Sequence, residues 1–356
     1  MEKHDWDFLR ELMAAPSPSG YEQPAQRRLR QEMEGVADEI RTDFMGNVIV
    51  RIRGKREDAP RVMLAGHCDE IGFIVQHIDE NGFIYFNPIG GIDQHIVPAQ
   101  RVYVHTASGP ILGVVGKKPI HLMDTKDRET VVKFKNQYID IGTSSKTETE
   151  KLVAIGDPVT FTAELEVLQG DRLTCRAFDD KAGAFVVAQV MKEIRRLGGA
   201  TADVYGVFTV QEELGLRGAK ASAYGVNPDV GIAIDTTFAS DCPDIDKKEV
   251  GEMKLGGGPI IARGANINPK VFELLRALAR EKAIPVQVEA IARGTGTDAN
   301  VIQTNRDGVA AGLVSLALRN LHTPAEVISR TDMENAVKLL AAAVMRIERR
   351  EDFIPE

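Results

Sequence analysis

The sequence predicts an α/β fold, a mixed sheet flanked by helices, with a small all-β domain inserted into it. The chain has 356 residues, which is more than one ordinary core requires. Helical patterns alternate with short apolar strands from about residue 9 to residue 66, and again from about residue 176 to the end. Between these segments, short runs rich in Val, Ile and Phe are separated by turn residues. We therefore expect residues 1–71 and 175–356 to form one α/β domain, and residues 72–174 to form an inserted barrel or compact sandwich.

The elements of the α/β part follow from hydrophobic periodicity. An amphipathic helix near the N-terminus ends at Pro and Gly residues. Short apolar runs predict buried strands at residues 62–66, 204–210, 230–234 and 309–313. Apolar residues at three- and four-residue spacing predict helices at residues 182–197, 269–282 and 332–350. In the insertion, turn signals at residues 80–82, 107–109 and 155–158 delimit short strands, and no long helix is expected there.

Composition and charge exclude several classes of function. The formal net charge is −8 and there is no long Lys/Arg block, which argues against binding to nucleic acid or to an anionic membrane. No run of about 18 apolar residues predicts a membrane span, and the N-terminus lacks the apolar core of a signal peptide. The three cysteines, Cys68, Cys175 and Cys242, form no C-x-x-C pair and predict no disulfide framework. We expect a cytoplasmic protein that acts on peptides or small molecules.

Acidic residues and one histidine follow the predicted strands or precede a predicted helix. They occur in the stretches HCDEIGF, RAFDDKAGA and TVQEELGLR and after VGIAI, which supply His67, Asp69, Asp179, Asp180, Glu212, Glu213 and Asp235. His67 and Asp69 are two residues apart in an extended segment, so their side chains point to the same side. Considered singly, an Asp before a helix is most often an N-cap and a Glu at a strand end is most often solvated.

Considered together, these residues predict a metal site. Ligands bind at the carboxyl ends of the strands in an open α/β sheet, so side chains from several strand ends can converge there. Several carboxylates in one pocket require a neutralising cation, and imidazole with carboxylate suits zinc, cobalt or manganese. A pair of divalent ions would accommodate this much negative charge. A second imidazole is then needed, and His322 in NLHTPAEVI is the favoured candidate outside the insertion and the N-terminus.

The motifs together resemble one family of hydrolases. The HxD after a strand, the FDDKxG stretch, the adjacent glutamates, the AIDT strand end and the late LHTP histidine are similar to those of the tetrahedral, TET-type dinuclear metalloaminopeptidases. That family includes glutamyl and leucyl aminopeptidases, and some members carry an endoglucanase label. The resemblance covers almost the whole chain and implies a zinc-exopeptidase-like fold in which the β insertion serves for dimerisation. It also implies release of N-terminal residues from short peptides, two Zn²⁺ or Co²⁺ ions per subunit, and a homo-oligomer of dimers assembled into a tetrahedral dodecamer.

The resemblance also implies a role for each residue of the site. His67 and Asp235 would bind one ion, Glu213 and His322 the other, and Asp179 would bridge the two. Asp69 would orient the ring of His67, and Glu212 would be the general base. A cis peptide bond between Asp179 and Asp180 is expected on the same grounds.

Other interpretations stay open at this stage. The same site could serve a carboxypeptidase or an N-acyl amino acid deacylase, and the carboxylate pair also allows a glycoside hydrolase. A binding protein with a vestigial metal site is a third alternative. The roles of His95, Arg217 and Asp298 are undetermined: His95 lies in the insertion, and Asp298 either lines the cleft in GTGTDAN or caps a helix. The preferred N-terminal residue is also undetermined, and Arg263, Lys254 and Arg293 are the candidates for a pocket cation.

Overall fold

The computed structural model describes residues 1–162 and 164–355. Its strands are β1 Glu39–Thr42, β2 Val48–Ile52, β3 Arg61–His67, β4 Gly72–Ile78, β5 Ile84–Ile89, β6 Arg101–Thr106, β7 Gly109–Gly116, β8 Tyr138–Asp140, β9 Pro158–Phe161, β10 Glu166–Val167, β11 Arg172–Cys175, β12 Asp203–Thr209, β13 Val230–Phe238, β14 Ile260–Gly264, β15 Gln287–Ile291, β16 Ala310–Arg319 and β17 Glu326–Ser329. Its α-helices are α1 Lys3–Ala14, α2 Gln23–Met33, α3 Thr125–Arg128, α4 Lys146–Thr149, α5 Phe178–Arg196, α6 Arg217–Val226, α7 Lys247–Val250, α8 Pro269–Glu281, α9 Asp298–Gln303 and α10 Arg330–Arg346.

A large mixed sheet forms the α/β part and confirms the predicted fold class. Its strand order is β1-β2-β12-β3-β13-β16-β17-β11-β10, and the ribbon of β14 and β15 joins it through β16. The central strands β12, β3, β13 and β16 are parallel, so their carboxyl ends lie at one edge of the sheet. Such strands are covered by helices on both faces. Gly231 on β13 faces Ile302 in α9, whereas Gly312, beside Ile232, faces Val271 in α8.

The insertion is a closed antiparallel barrel with a core of its own. The strand order around the barrel is β4-β5-β8-β7-β6-β9, and aromatic rings of Phe73, Phe86 and Phe161 pack edge to face inside it. Its strands run from Gly72 to Phe161, whereas β10 and β11 pair with the large sheet. The division into residues 1–71, 72–174 and 175–356 stays a proposal. Because β10 and β11 pair with the large sheet, residues 166–174 would belong to the α/β part.

Strand β13 continues past the predicted end. We expected Asp235 to follow a strand at residues 230–234, and this expectation is wrong because β13 extends to Phe238. The strand pairs with β3 only as far as Ala233, but with β16 as far as Phe238. One side of β13 is therefore open at Asp235, which leaves room for the side chains of other segments there.

Close packing of β3 against α5 positions the carboxyl end of β3. A Cβ on Gly66 would lie 2.6 Å from the carbonyl carbon of Gly183 and 2.7 Å from the main-chain N of Ala184. The absence of a side chain at Gly66 lets the backbone of α5 approach the strand directly, and its absence at Gly183 leaves room for the Asp180 carboxylate. Asp179 and Asp180, at the start of α5, are brought beside His67 in this way.

Within residues 1–162 and 164–355, no helix combines the length and the apolar character that a membrane crossing requires.

Candidate metal centre

His67 presents its ring to a group of carboxylates at the sheet edge. The side chain is buried, and its Nε2 lies 3.2 Å from Asp179 Oδ1 and 3.9 Å from Glu212 Oε2. On the other side of the ring, Nδ1 lies 3.1 Å from the main-chain O of Asp69 and 3.4 Å from Asp69 Oδ1. Contacts at Nδ1 leave Nε2 free to face the carboxylates, which is the usual arrangement for a metal-binding imidazole.

Asp179 lies between the two histidines. Its Oδ1 faces His67 Nε2 at 3.2 Å, and its Oδ2 faces His322 Nε2 at 3.3 Å. The peptide bond between Asp179 and Asp180 is cis, which confirms the expectation from the sequence. Asp180 accepts main-chain hydrogen bonds from Gly183 at Oδ1 and from His67 at Oδ2, so it connects the end of β3 to α5.

Glu212 and Glu213 lie in a tight turn that follows β12. Gln211 has a positive φ of 53°, and the main-chain O of Glu212 accepts hydrogen bonds from Gly215 and Leu216. The Asp69 carboxylate accepts hydrogen bonds from both glutamate main-chain N–H groups, at 3.1 Å from Glu212 and 3.2 Å from Glu213. The turn is therefore anchored to the segment that follows His67.

The predicted residues converge in three overlapping groups. In each group, the ligand atoms lie within 4.8 Å of one another, and the groups are His67–Glu212–Asp235, Asp179–Glu213–His322 and Asp179–Asp180–Asp235. Glu212 and Glu213 belong to different groups, so neighbouring carboxylates serve different parts of the site. Asp179 is shared by two groups.

Electrostatics show that this cluster fits bound cations. Burial and the charges of neighbouring carboxylates raise the pKa of Glu212 to about 10 and the pKa of Asp235 well above its ordinary value. Burial lowers the pKa of His67, but the charges of Glu212, Asp179 and Asp69 outweigh it and raise that pKa well above the ordinary value. Glu213 Oε1 is buried and lies 3.3 Å from His322 Nε2, but it accepts no hydrogen bond from the described residues. Divalent ions would neutralise these carboxylates and would give Glu213 Oε1 the bonding partner that it lacks.

Glu326 belongs to the site but was not predicted. The side chain is 1% exposed at the start of β17. Its Oε2 accepts a hydrogen bond from the main-chain N of Asp179 at 3.2 Å, and its Oε1 accepts one from the main-chain N of His322 at 3.0 Å. Burial raises the pKa of Glu326 well above its ordinary value. In the sequence, Glu326 is an acidic residue four positions after His322, and nothing there distinguishes it from an ordinary charged residue of a loop.

The three residues of undetermined role lie in different surroundings. Asp298 is buried in the first turn of α9, where Thr297 is the N-cap, so capping by Asp298 is excluded. Its Oδ2 accepts a hydrogen bond from Thr209 Oγ1 at 2.5 Å. Arg217 is exposed and contacts Gln211, 3.4 Å away, rather than the carboxylate cluster. His95 is exposed on the insertion.

A buried cluster of charged side chains lies next to the site and connects its segments. Glu70 Oε1 accepts hydrogen bonds from Lys181 Nζ at 2.8 Å and from the main-chain N of Ser17 at 2.9 Å, and Glu70 Oε2 bonds to Arg176. Lys181 also donates to the main-chain O of Ala15 at 2.6 Å. The cluster ties the segment after α1 to the segments that carry Asp69 and Asp179. Burial raises the pKa of Glu70, but the charges of Arg176 and Lys181 outweigh it and lower that pKa to about 2.

The barrel reaches the site through a glycine pair after β5. His322 Nδ1 lies 2.7 Å from the main-chain O of Gly91. Gly90 has a φ of 77°, and a Cβ there would lie 2.9 Å from Ile71 Cγ2 and 3.3 Å from Glu213 Oε2. The insertion therefore contacts the segments of both Glu213 and His322.

Substituting Gly90 with alanine should weaken metal binding. The added Cβ would press on Ile71 and on Glu213 Oε2, and disturbing the groups around a metal ligand lowers metal affinity or activity by about 10- to 100-fold. Titration of the metal-free protein with Zn²⁺ or Co²⁺ measures the affinity. Gly142→Ala is the matched control, since Gly142 has a φ of 84° in the insertion but open space around it. Equal losses in both variants would show that backbone strain, and not contact with Glu213, is responsible.

Buried imidazole and carboxylate groups at the carboxyl edge of the α/β sheet, next to the inserted barrel, are the arrangement of a metal-dependent hydrolase. The chain belongs to the M42 glutamyl aminopeptidase family, whose profile matches residues 46–339. It is an aminopeptidase, a hydrolase of peptide bonds.

Relatives of known name or structure agree with this family. The chain is 38% identical to a lysyl aminopeptidase of Pyrococcus furiosus over 99% of both chains. It is similar in structure to the TET aminopeptidase of a marine-sediment Thaumarchaeota archaeon, with a TM-score of 0.94, 34% identity and 99% of each chain covered. The TET1 peptidase of Pyrococcus horikoshii, which can assemble into a tetrahedron or a large octahedral shell, matches with a TM-score of 0.85 and 30% identity over 96% of this chain and 99% of that chain.

Proposed function

We propose that this aminopeptidase releases N-terminal residues from short peptides at a site that binds two divalent ions, Zn²⁺ or Co²⁺. His67 and Asp235 would bind one ion, Glu213 and His322 the other, and Asp179 would bridge them. The observation that carries this proposal is the position of Asp179, whose two oxygens face one histidine each, at 3.2 and 3.3 Å. A carboxylate placed between two imidazoles, with a further carboxylate beside each of them, suits a pair of ions better than a single ion.

Glu212 is the proposed general base. When divalent ions are bound, they lower the pKa of water and polarise the peptide carbonyl. A Glu212 oxygen would take a proton from the attacking water and return it to the amine that leaves. Geometry places Glu212 within reach of ligation as well, beside His67 and Asp235. We assign Glu212 the role of proton acceptor, and not that of ligand, because Asp179 Oδ1 lies closer to His67 Nε2 than Glu212 Oε2 does. The two distances are 3.2 Å and 3.9 Å.

Asp69 and Glu326 are proposed to hold this arrangement in place. Asp69 contacts the His67 ring through its main chain and anchors the main chain of Glu212 and Glu213. Glu326 holds the main chain of Asp179 and of His322. Each residue thereby connects two segments that are remote in the sequence, which keeps the donors at fixed positions relative to one another.

Removal and return of metal test the proposed function. We expect chelation to abolish cleavage of peptides with a free N-terminus, and Zn²⁺ or Co²⁺ to restore it at about two ions per chain. A panel of free and N-acetylated peptides identifies the reaction, with release of the first residue as the readout. Faster cleavage of N-acetylated peptides would favour a deacylase, and release from the C-terminus would favour a carboxypeptidase. Activity that survives complete removal of metal would contradict the proposal.

The assembly and location of the enzyme are also proposals. The Pyrococcus horikoshii relative can assemble into a tetrahedron, and we infer a tetrahedral dodecamer of this chain with the barrel as its dimerisation domain. Light scattering should then give a mass close to twelve chains, whereas a monomer mass would exclude it. The three cysteines are free in the structure, which fits the reducing conditions of the cytoplasm, where we propose that the enzyme acts.

A further inference from the structure

Glu289 is an acidic residue beside the metal centre that the reaction does not use. It lies on β15, which pairs with β14, and β14 in turn pairs with β16 next to β13. This ribbon leads through residues 292–297 into α9, whose first residue, Asp298, is buried close to the carboxylate cluster. The ribbon is therefore followed directly in the chain by α9, which packs against β13.

The Glu289 side chain lies on the same face of the sheet as Asp235. Side chains alternate along a strand, so Asp235 and Thr237 on β13 point to one face, which is the face that Gly231 presents to α9. Thr237 Oγ1 donates a hydrogen bond of 3.2 Å to Glu289 Oε1. Two residues of strand span about 6.6 Å and the hydrogen bond from Thr237 adds 3.2 Å, so the Glu289 carboxylate lies roughly 10 Å from Asp235. The two carboxylates thus lie on the same face of the sheet.

No positively charged side chain of residues 1–162 and 164–355 neutralises this carboxylate. Among the residues that the structure describes, only Thr237 bonds to the Glu289 side chain, and no Lys, Arg or His lies within ion-pair distance of it. Arg263, a candidate for a pocket cation, stacks instead over the Phe272 ring, 5.3 Å from its centroid. Lys254 and Arg293 are exposed. Burial raises the pKa of Glu289. A half-buried acidic group without a cation is suited to accept one from a ligand.

We propose that Glu289 forms the subsite for the side chain of the substrate's N-terminal residue and favours lysine or arginine there. The inference rests on the proposed aminopeptidase function, in which the first residue of the peptide lies at the metal centre. A lysine side chain spans about 6 Å from Cα to Nζ, five bonds of about 1.5 Å in a zigzag. A substrate Cα a few ångströms from Asp235 therefore brings its ammonium group within reach of Glu289. The carboxylate would form a charge-assisted hydrogen bond with that group and would repel an N-terminal glutamate.

Kinetics with matched aminoacyl-coumarin substrates test this subsite. We compare kcat/KM for Lys, Leu and Glu substrates, and we expect the wild-type enzyme to prefer Lys. Glu289→Gln keeps the shape and the hydrogen bond to Thr237, and it should lower the Lys/Leu ratio by about 10- to 100-fold, mainly through KM. Glu289→Arg should raise the Glu/Leu ratio. Glu252→Gln, which alters an exposed glutamate paired with Lys247, is the control and should leave the ratios unchanged.

The outcomes separate this inference from the proposed function. An enzyme that cleaves the Leu substrate, but whose Lys/Leu ratio is the same in wild type and Glu289→Gln, would overturn the role of Glu289 and leave the function standing. Failure to cleave any of the free-amine substrates with metal bound would overturn both. Thr237→Val provides a second variant, since it removes only the hydroxyl that holds Glu289 Oε1. It should lower the Lys/Leu ratio by less than Glu289→Gln does, and an unchanged ratio would count against the subsite.

Discussion

Replacing Glu212 with glutamine should reduce kcat by about 100- to 10 000-fold while the two proposed metal ions remain bound. The amide has nearly the same shape as the carboxylate but cannot take a proton from water. Glu212 lies beside His67 and Asp235, 3.9 Å from the imidazole Nε2, without being the closest carboxylate to it. Steady-state kinetics and the metal content of the dialysed protein measure the two effects separately.

Glu213→Gln is the matched comparison for this prediction. Glu213 is the neighbouring residue with the same side chain, but it belongs to the group of Asp179 and His322. Its substitution should lower the metal content, and added metal should restore part of the activity. A Glu212→Gln variant that also loses metal would show that Glu212 is a ligand, and the role of base would then pass to another residue.

Replacing Glu70 with glutamine should lower the free energy of unfolding by about 3–5 kcal/mol at neutral pH, because Arg176 and Lys181 would be left as buried charges without a counter-ion. Lys181 is fully buried, and Arg176 is 6% exposed. Chemical denaturation at equal protein and metal concentrations measures the loss. Glu80→Gln is the control, since the Glu80–Lys146 pair is exposed and such pairs contribute about 1 kcal/mol or less.

The stabilisation by Glu70 should depend on pH in a defined direction. Its pKa is lowered from 4.5 to about 2 in the folded protein, so the folded state favours the charged form. The stabilisation is therefore complete above pH 4.5, and it is lost progressively as the pH falls towards 2. The difference between wild type and Glu70→Gln should shrink over this range. A difference that stays constant would show that packing, and not charge, accounts for the effect.

Strand and helix positions could be predicted because they depend on local patterns. The strands predicted at residues 62–66 and 204–210 correspond to β3 and β12, and the helix predicted at residues 269–282 corresponds to α8. The end of β13 could not be predicted, because the strand continues on its pairing with β16 after its pairing with β3 has ended. Pairing of this kind joins residues that are remote along the chain, and no periodicity within the strand reports it.

The site, like the fold, could be predicted from the sequence only in part. Convergence of His67, Asp179, Glu213 and His322 could be expected, because acidic and imidazole groups near the carboxyl ends of strands meet at one edge of the sheet, and Asp235 joins them although it lies within β13. Glu326 and Gly90 could not be found in this way, since each acts through a main-chain contact or a shape that depends on a distant segment.

The sequence by itself determined the α/β class, the separate β insertion, the candidate ligand residues and the family resemblance, because each of these depends on residue type and short-range spacing. Only the tertiary structure decided that Asp179 lies between the two histidines, that Glu70 joins two buried cations, and that Glu289 bonds to Thr237, two residues after Asp235. The physical reason is that these contacts join segments separated by many residues. Which side chains meet is set by how strands pair and how closely helices pack, as at Gly66 and Gly183.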